Sequence, residues 1–103
     1  MSPSGSRWTF LSNHGHVLLC LARSPSMRMR DIASRVGITE RAVQRIIADL
    51  RKDGCVVQRR SGRCNVYEIN CSHPLRHALE AHKSIADLIR LILDQSANGV
   101  ESK

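Results

Sequence analysis

No apolar run in this chain is long enough to span a bilayer, and residues 1–8 contain nothing like the apolar segment of an export signal. A membrane span and a secreted form are therefore excluded as expectations, and the expected location is the cytoplasm. No basic amphipathic helix is present to favour a membrane surface. The four cysteines, Cys20, Cys55, Cys64 and Cys71, form no C-x-x-C pair. Without an export signal they are expected to be free thiols. Catalysis finds little to work with. Nine carboxylates are available, mostly at expected exposed helix positions, Ser, His and Asp fall at no suggestive spacing, and there is no Gly-rich phosphate loop. The expectation is a non-enzyme without a cofactor. A thiol enzyme working through Cys64 or Cys71 is the residual catalytic possibility.

Acidic residues are scarce, and their scarcity is local. The chain holds 16 Lys+Arg against 9 Asp+Glu, a net charge of +7. Residues 1–70 carry 12 basic and 5 acidic side chains (12 − 5 = +7), and residues 71–103 carry 4 of each. The whole excess sits on the first two thirds, which points to a polyanionic partner. With 103 residues and 42% hydrophobic content, the chain has the make-up of one small globular domain.

Within the basic part, residues 30–54 show the strongest pattern. Ile32, Ala33 and Val36 mark the inner face of a short helix, and Gly37 suits a tight corner. Val43, Ile46, Ile47 and Leu50 then mark a longer helix over Thr39–Asp53, capped by Thr39 and ended by Gly54. This is helix-turn-helix spacing. The second helix turns Thr39, Glu40, Arg41, Gln44, Arg45, Ala48, Arg51 and Lys52 outward. Arg matches guanine and Gln matches adenine along base edges, each through paired hydrogen bonds.

The flanking segments supply the rest. Residues 1–12 read as an N-terminal arm, in which Trp8 and Phe10 suit core or subunit packing better than base stacking. A helix is expected from about Asn13 to Arg23, with Ser12 or Asn13 as cap, Val17, Leu18 and Leu21 inward, and Leu11 as a hydrophobic staple. Ser24–Ser26 breaks the chain, and Met27–Met29 suits a very short strand. After Gly54 the pattern becomes a β-hairpin, Cys55–Arg60 and Cys64–Ile69, turning at Gly62. Val57, Tyr67 and Ile69 are expected to share its inner face. Arg59, Arg60 and Arg63 crowd the tip, where mutual repulsion favours a wing laid on phosphates or into a minor groove. A long helix is expected from Pro74 to about Asp94. Its apolar arc is wider than one small core needs, and Leu79, His82, Ile85, Ile89 and Ile92 follow the spacing of a helix-packing seam. The domain reading is thus 1–12 arm, 13–72 DNA-binding domain, 73–95 dimerisation helix and 96–103 flexible tail.

Residues 31–50, followed by Asp53-Gly54-Cys55-Val56-Val57 and the Arg-rich hairpin, resemble the winged helix-turn-helix transcriptional regulators of the ArsR and MarR type. The resemblance covers residues 13–94. It implies a mainly α fold with a small β-hairpin, a three-helix core plus wing, and a homodimer on a pseudo-palindromic double-stranded DNA operator. It further implies that Thr39, Arg41, Gln44 and Arg45 face bases and nearby phosphates, that Arg59, Arg60 and Arg63 are wing contacts, and that Arg28, Arg30 and Arg35 touch phosphate. Repression is expected because the chain has no room for a separate activation domain. Metal-sensing ArsR proteins often carry a Cys-x-Cys pair in the first helix of the motif, which residues 31–36 lack. Two alternatives stay open. One is a winged-helix module that binds protein or RNA. The other is a metal- or redox-responsive regulator using Cys71, His73 and His77 as thiolate and imidazole ligands, or Cys55 and Cys64 across the hairpin.

Overall fold

The computed structural model describes residues 8–93, as four helices and one two-stranded hairpin. The arm's first seven residues, the expected helix end at Asp94 and Gln95, and the 96–103 tail lie outside the described residues.

Helix α1 (Asn13–Arg23) starts where Ser12 places its hydroxyl to accept from the Gly15 amide at 3.3 Å. Five consecutive residues, Val17 to Leu21, are buried, so the helix is apolar around more than a full turn. A helix buried on all sides must be surrounded, and α1 touches α2, α3, α4 and the second hairpin strand. Helix α2 (Met29–Val36) buries Ile32 and Ala33 and ends at Gly37, whose φ of +88° carries the chain through a left-handed corner. Helix α3 (Glu40–Lys52) begins at Thr39, whose hydroxyl accepts from the Ala42 amide at 3.0 Å. Val43, Ile46, Ile47 and Leu50 form its buried stripe. Gly54 (φ +81°) ends it, with the Cys55 amide bonding back to the Leu50 carbonyl at 2.8 Å.

Met27–Met29 forms no strand, because Met29 is already the first residue of α2. The chain here makes a single sheet-like bond instead, from the Tyr67 amide to the Pro25 carbonyl at 3.0 Å.

Strands β1 (Val56–Ser61) and β2 (Cys64–Ile69) pair antiparallel around Gly62 and Arg63, with Ser61 opposite Cys64. Positive φ falls at Gly62 only, the first of the two turn residues, which is where a type II′ turn requires it. The register sets Val56 against Ile69 and Gln58 against Tyr67, so these four share the inner face. Tyr67 and Ile69 point inward as expected, but Val57 does not: it stands opposite Glu68 on the outer face, 48% exposed, while Val56 is 2% exposed. Alternation forces that choice, since neighbours in a strand point to opposite faces. The same register separates Cys64, at the tip, from Cys55, which precedes β1 at the base, so the two cannot form a cross-hairpin pair.

The largest departure lies beyond Asn70. Helix α4 runs only from Ile85 to Leu93, not from Pro74. Residues 71–84 instead double back: the Leu75 amide bonds to the Lys83 carbonyl, and the first α4 amides, Ile85 and Ala86, bond to the His73 and Cys71 carbonyls, all at 2.9 Å. The start of α4 is fixed by a reciprocal cap. The Ser84 amide donates to the Asp87 carboxylate at 2.9 Å, and the Asp87 amide donates to the Ser84 hydroxyl at 3.4 Å. The bond from the Ser84 amide, and then the Arg90 guanidinium at 2.9 Å, hold the Asp87 carboxyl below its ordinary range. Hence the Leu79–Ile92 seam is not one helical stripe. Leu79 and His82 sit in the loop, exposed, and Ile85 is 2% exposed inside the domain's own core. No described helix is long and apolar enough to cross a membrane.

All four cysteines are unpaired, as expected. Cys20 and Cys55 are buried, and burial pushes both thiols up; for Cys55 the Asp53 carboxylate adds to the rise. Cys64 and Cys71 are exposed.

Two outcomes test this arrangement. Val56→Ala should cost on the order of 2 kcal/mol in urea unfolding, since it removes buried methyl groups, whereas Val57→Ala should stay within about 0.5 kcal/mol. Equal losses would mean a different hairpin parity. In thiol titration with an aromatic disulfide at neutral pH, Cys64 and Cys71 should react in the native protein and Cys20 and Cys55 only after denaturant is added.

Candidate nucleic-acid interface

The outer face of α3 follows from what its inner face must do. With Val43, Ile46, Ile47 and Leu50 committed to the core, helical geometry turns Arg41, Gln44, Arg45 and Ala48 to the opposite side, and all four are exposed. Thr39 is exposed as well, but its hydroxyl oxygen is engaged at the cap. Its O–H remains free to donate to an acceptor outside the helix.

The charges are sorted by side. The carboxylates of Asp49, in the second half of α3, and of Asp53, its C-cap, are paired away from the outer face. Asp49 lies 2.8 Å from the His14 ring on α1, and Asp53 lies 3.2 Å from Arg76 in the 71–84 loop. Arg41, Arg45, Arg51 and Lys52 enter no ion pair among the described residues. The outer face thus keeps its positive charge while Asp49 and Asp53 are engaged elsewhere. Glu40 is its one exposed carboxylate, in the first turn, where the helix dipole favours it.

The hairpin arginines do not form one cluster. Alternation puts Arg59 on the outer face with Val57 and Glu68, and its Nε lies 2.8 Å from the Glu68 carboxylate. Arg60 points to the opposite face, in line with Gln58 and Val56, and Arg63 occupies the turn. Arg60 and Arg63 have no acidic partner among the described residues. The Glu68 partner was not legible as such, because it depends on the strand register. The hairpin shaft is stiffened by a side-chain bond from Gln58 to Asn65 at 3.1 Å. At the entry to the motif, Arg28 is paired to Asp31 at 3.1 Å, whereas Arg30 and Arg35 are exposed and unpaired among the described residues.

The candidate metal ligands are not brought together. The two ring nitrogens of His73 face backbone carbonyls, Nε2 toward Asp53 at 3.0 Å and Nδ1 toward Pro74 at 2.8 Å. His77 Nδ1 accepts from the Leu79 amide at 3.0 Å, and Cys71 is exposed. Backbone engages both ring nitrogens of His73 and Nδ1 of His77, and among the described residues no group of three His, Cys, Asp or Glu side chains is arranged to hold a metal. His73 is instead a tie between the end of α3 and the loop that leads to α4.

Comparison with solved structures finds the same arrangement of helices and hairpin. The Staphylococcus aureus multidrug-efflux regulator MepR superposes with a TM-score of 0.53 at 14% identity, over 84% of this chain and 60% of MepR. A point variant of Lactococcus lactis ZitR gives 0.51 at 20% identity, over 68% of this chain and 49% of that one. The Streptomyces coelicolor regulator PcaV gives 0.50 at 19% identity, over 84% and 67%. These likenesses concern the fold. The chain spans about half the length of ZitR, so it corresponds to part of such a regulator. No curated protein sequence matches it. The MarR family sequence profile, however, matches residues 9–63, more than half of the chain, and takes in α1, α2, α3, β1 and the hairpin turn. With that match lying on the winged helix-turn-helix itself, the chain belongs to the MarR family of transcription regulators.

Proposed function

We propose that this protein is a sequence-specific regulator that binds double-stranded DNA as a homodimer and represses by occupying a pseudo-palindromic operator. The observation that carries the reading is the sorting of charge on α3. Arg41, Gln44 and Arg45 stand together on an exposed face whose neighbouring carboxylates, Asp49 and Asp53, are engaged on the other side. In this reading α3 lies in a major groove, with Arg41, Gln44 and Arg45 at base edges and Thr39 near the adjoining phosphates. Arg60 and Arg63 reach the flanking minor groove or its phosphates, with Arg59 contributing less because Glu68 offsets it. Arg30 and Arg35 lie on phosphate, and Arg28 joins them if it leaves Asp31.

The homodimer is supported by what the core leaves uncovered. Ile85 is consumed by the domain's own core, and Leu88 and Ile89 pack partly against it. Leu91 (78% exposed), Ile92 and the loop residue Leu79 (83% exposed) remain turned to solvent. A second protomer covering Leu79, Ile89, Leu91 and Ile92 removes that surface from water. His82, exposed in the same loop, lies at the edge of such a contact.

Genomic fragments selected by the purified protein provide the probe. Changing Arg41, Gln44 and Arg45 together to Ala should reduce affinity for a selected fragment by about 1–3 kcal/mol per lost base contact. Affinity for a scrambled duplex should fall much less. An unchanged ratio of the two affinities would remove α3 from base reading. In sedimentation equilibrium the wild type should be a dimer. The Leu91→Asp/Ile92→Asp variant should be a monomer with an unchanged helical circular dichroism spectrum. A variant that remains dimeric would place the interface elsewhere.

A further inference from the structure

An open trough of about 500 Å3 runs between α3 and β1, lined by Ala48, Arg51, Lys52, Val56, Val57 and Gln58. It contains no carboxylate. Arg51 and Lys52 are exposed and enter no ion pair among the described residues. We propose that this trough seats one sugar–phosphate strand of the duplex, with Arg51 and Lys52 as its anchors and Ala48 as the small side chain that lets the strand approach. The proposal rests on the DNA-binding reading above and adds to it two anchors and a clearance position.

The argument is geometric first. If α3 occupies a major groove and the hairpin tip reaches the neighbouring minor groove, the two elements straddle the single backbone strand that divides those grooves. That strand must lie in the space between them, and this trough is that space. Its width is set by a short, stiff junction. Gly54 turns the chain at φ +81°, and the Cys55 amide bonds to the Leu50 carbonyl at 2.8 Å. Asn70 closes the same corner, its side-chain amide donating to the Gly54 carbonyl at 3.1 Å and its backbone amide to the Cys55 carbonyl at 2.8 Å. The walls are therefore held before any ligand arrives, and little ordering is lost on binding.

The chemistry agrees with the geometry. The C-terminal end of a helix carries about half a negative charge, which by itself would repel a phosphate. Here the last carbonyls are already engaged: Asp49 by the Asp53 amide, Leu50 by Cys55 and Arg51 by Gly54. Two full cations in the last turn leave the trough positive. Among the described residues strand β1 has a partner on one side only, so alternate amides on its other edge are open as donors for phosphate oxygens. The floor at Ala48 is the one small side chain on the outer face of α3, and a long one there would occupy the seat.

The test uses the full chain with a selected duplex and a scrambled duplex across a salt series. Arg51→Ala/Lys52→Ala should weaken both duplexes by the same factor and lower the slope of log affinity against log salt by about 0.9 per lost phosphate contact. Between 50 and 200 mM salt, the wild type should then lose about tenfold more affinity than the double variant. Ala48→Gln should itself weaken binding to both duplexes, since a long side chain occupies the seat, and Ala48→Glu should weaken it further by adding a negative charge. Two results overturn the proposal while leaving DNA reading intact. One is a double variant with the wild-type slope when Arg60→Ala flattens it. The other is a double variant that changes sequence preference instead of slope. A wild type with no salt-dependent affinity for either duplex overturns the DNA reading itself.

Discussion

Helix α1 is the element everything else is built against. Five successive buried residues, Val17 to Leu21, mean that it has no solvent side along its second half. It contacts α2, α3, β2 and α4. In a chain this small, one fully surrounded helix is an efficient way to bury apolar area with Tyr67 as the single core aromatic: the largest fully buried side chains are Leu21, Ile32, Val17 and Val43. Because α1 absorbs the inner stripes of both α2 and α3, those helices need no second covering layer. Their outer faces are left free. The interface is thus a by-product of where the core sits, and its polarity is decided only by which residues α3 places outside.

Freedom alone does not make a reader; the exposed groups must also be held in position and left electrostatically unspent. Both conditions are met by contacts on the far side of α3. Asp49 and Asp53, one turn apart, are tied to His14 and Arg76, and the Asp53 carbonyl is met by His73. These are half-exposed contacts, each worth little as stability. Their larger effect is on where charge remains. With Asp49 and Asp53 occupied, the outer face carries Arg41, Arg45, Arg51 and Lys52 without an internal partner among the described residues. The hairpin shows the opposite tuning, since Glu68 sits across from the shaft and partly neutralises Arg59 while Arg60 and Arg63 stay unpaired.

The parts of the fold legible in the sequence are those with local causes. Ser12 and Thr39 as caps, Gly37, Gly54 and Gly62 at turning points, and the apolar stripe of α3 each act within a few residues, and each lies where its pattern points. What escaped has non-local causes. Val56 and Val57 are adjacent and chemically alike, so composition cannot choose between them; register and the contact with the core do. Pro74 is compatible with the start of a helix, but the amides of Leu75, Ile85 and Ala86 find carbonyls eight or more residues away, and no periodicity reports that. One local signal was present. Ser84-Ile85-Ala86-Asp87 is a helix-start signature ahead of an apolar run, and it marks the true beginning of α4. In the candidate site, the α3 side chains were legible for the same local reason, whereas the engagement of Arg59, His73 and His77 depends on neighbours brought in by the fold.

The magnitudes favour the pairing proposed above. In the proposed reading, a single α3 would offer Arg41, Gln44 and Arg45 for base edges. At about 1–3 kcal/mol per good contact, that is roughly 3–9 kcal/mol of discrimination. Specific regulators need about 4–10 kcal/mol over their own non-specific binding. One copy reaches that range only if nearly every contact is well made, and two copies on a two-fold site reach it with contacts of ordinary quality. The remaining cations cannot make up the difference, because phosphate contacts hold all sequences alike. In the proposed reading, the apolar surface left by α4 and the loop before it would be as much a part of reading DNA as the outer face of α3. By joining two weak readers at a fixed spacing, it would turn a marginal preference into a selective one.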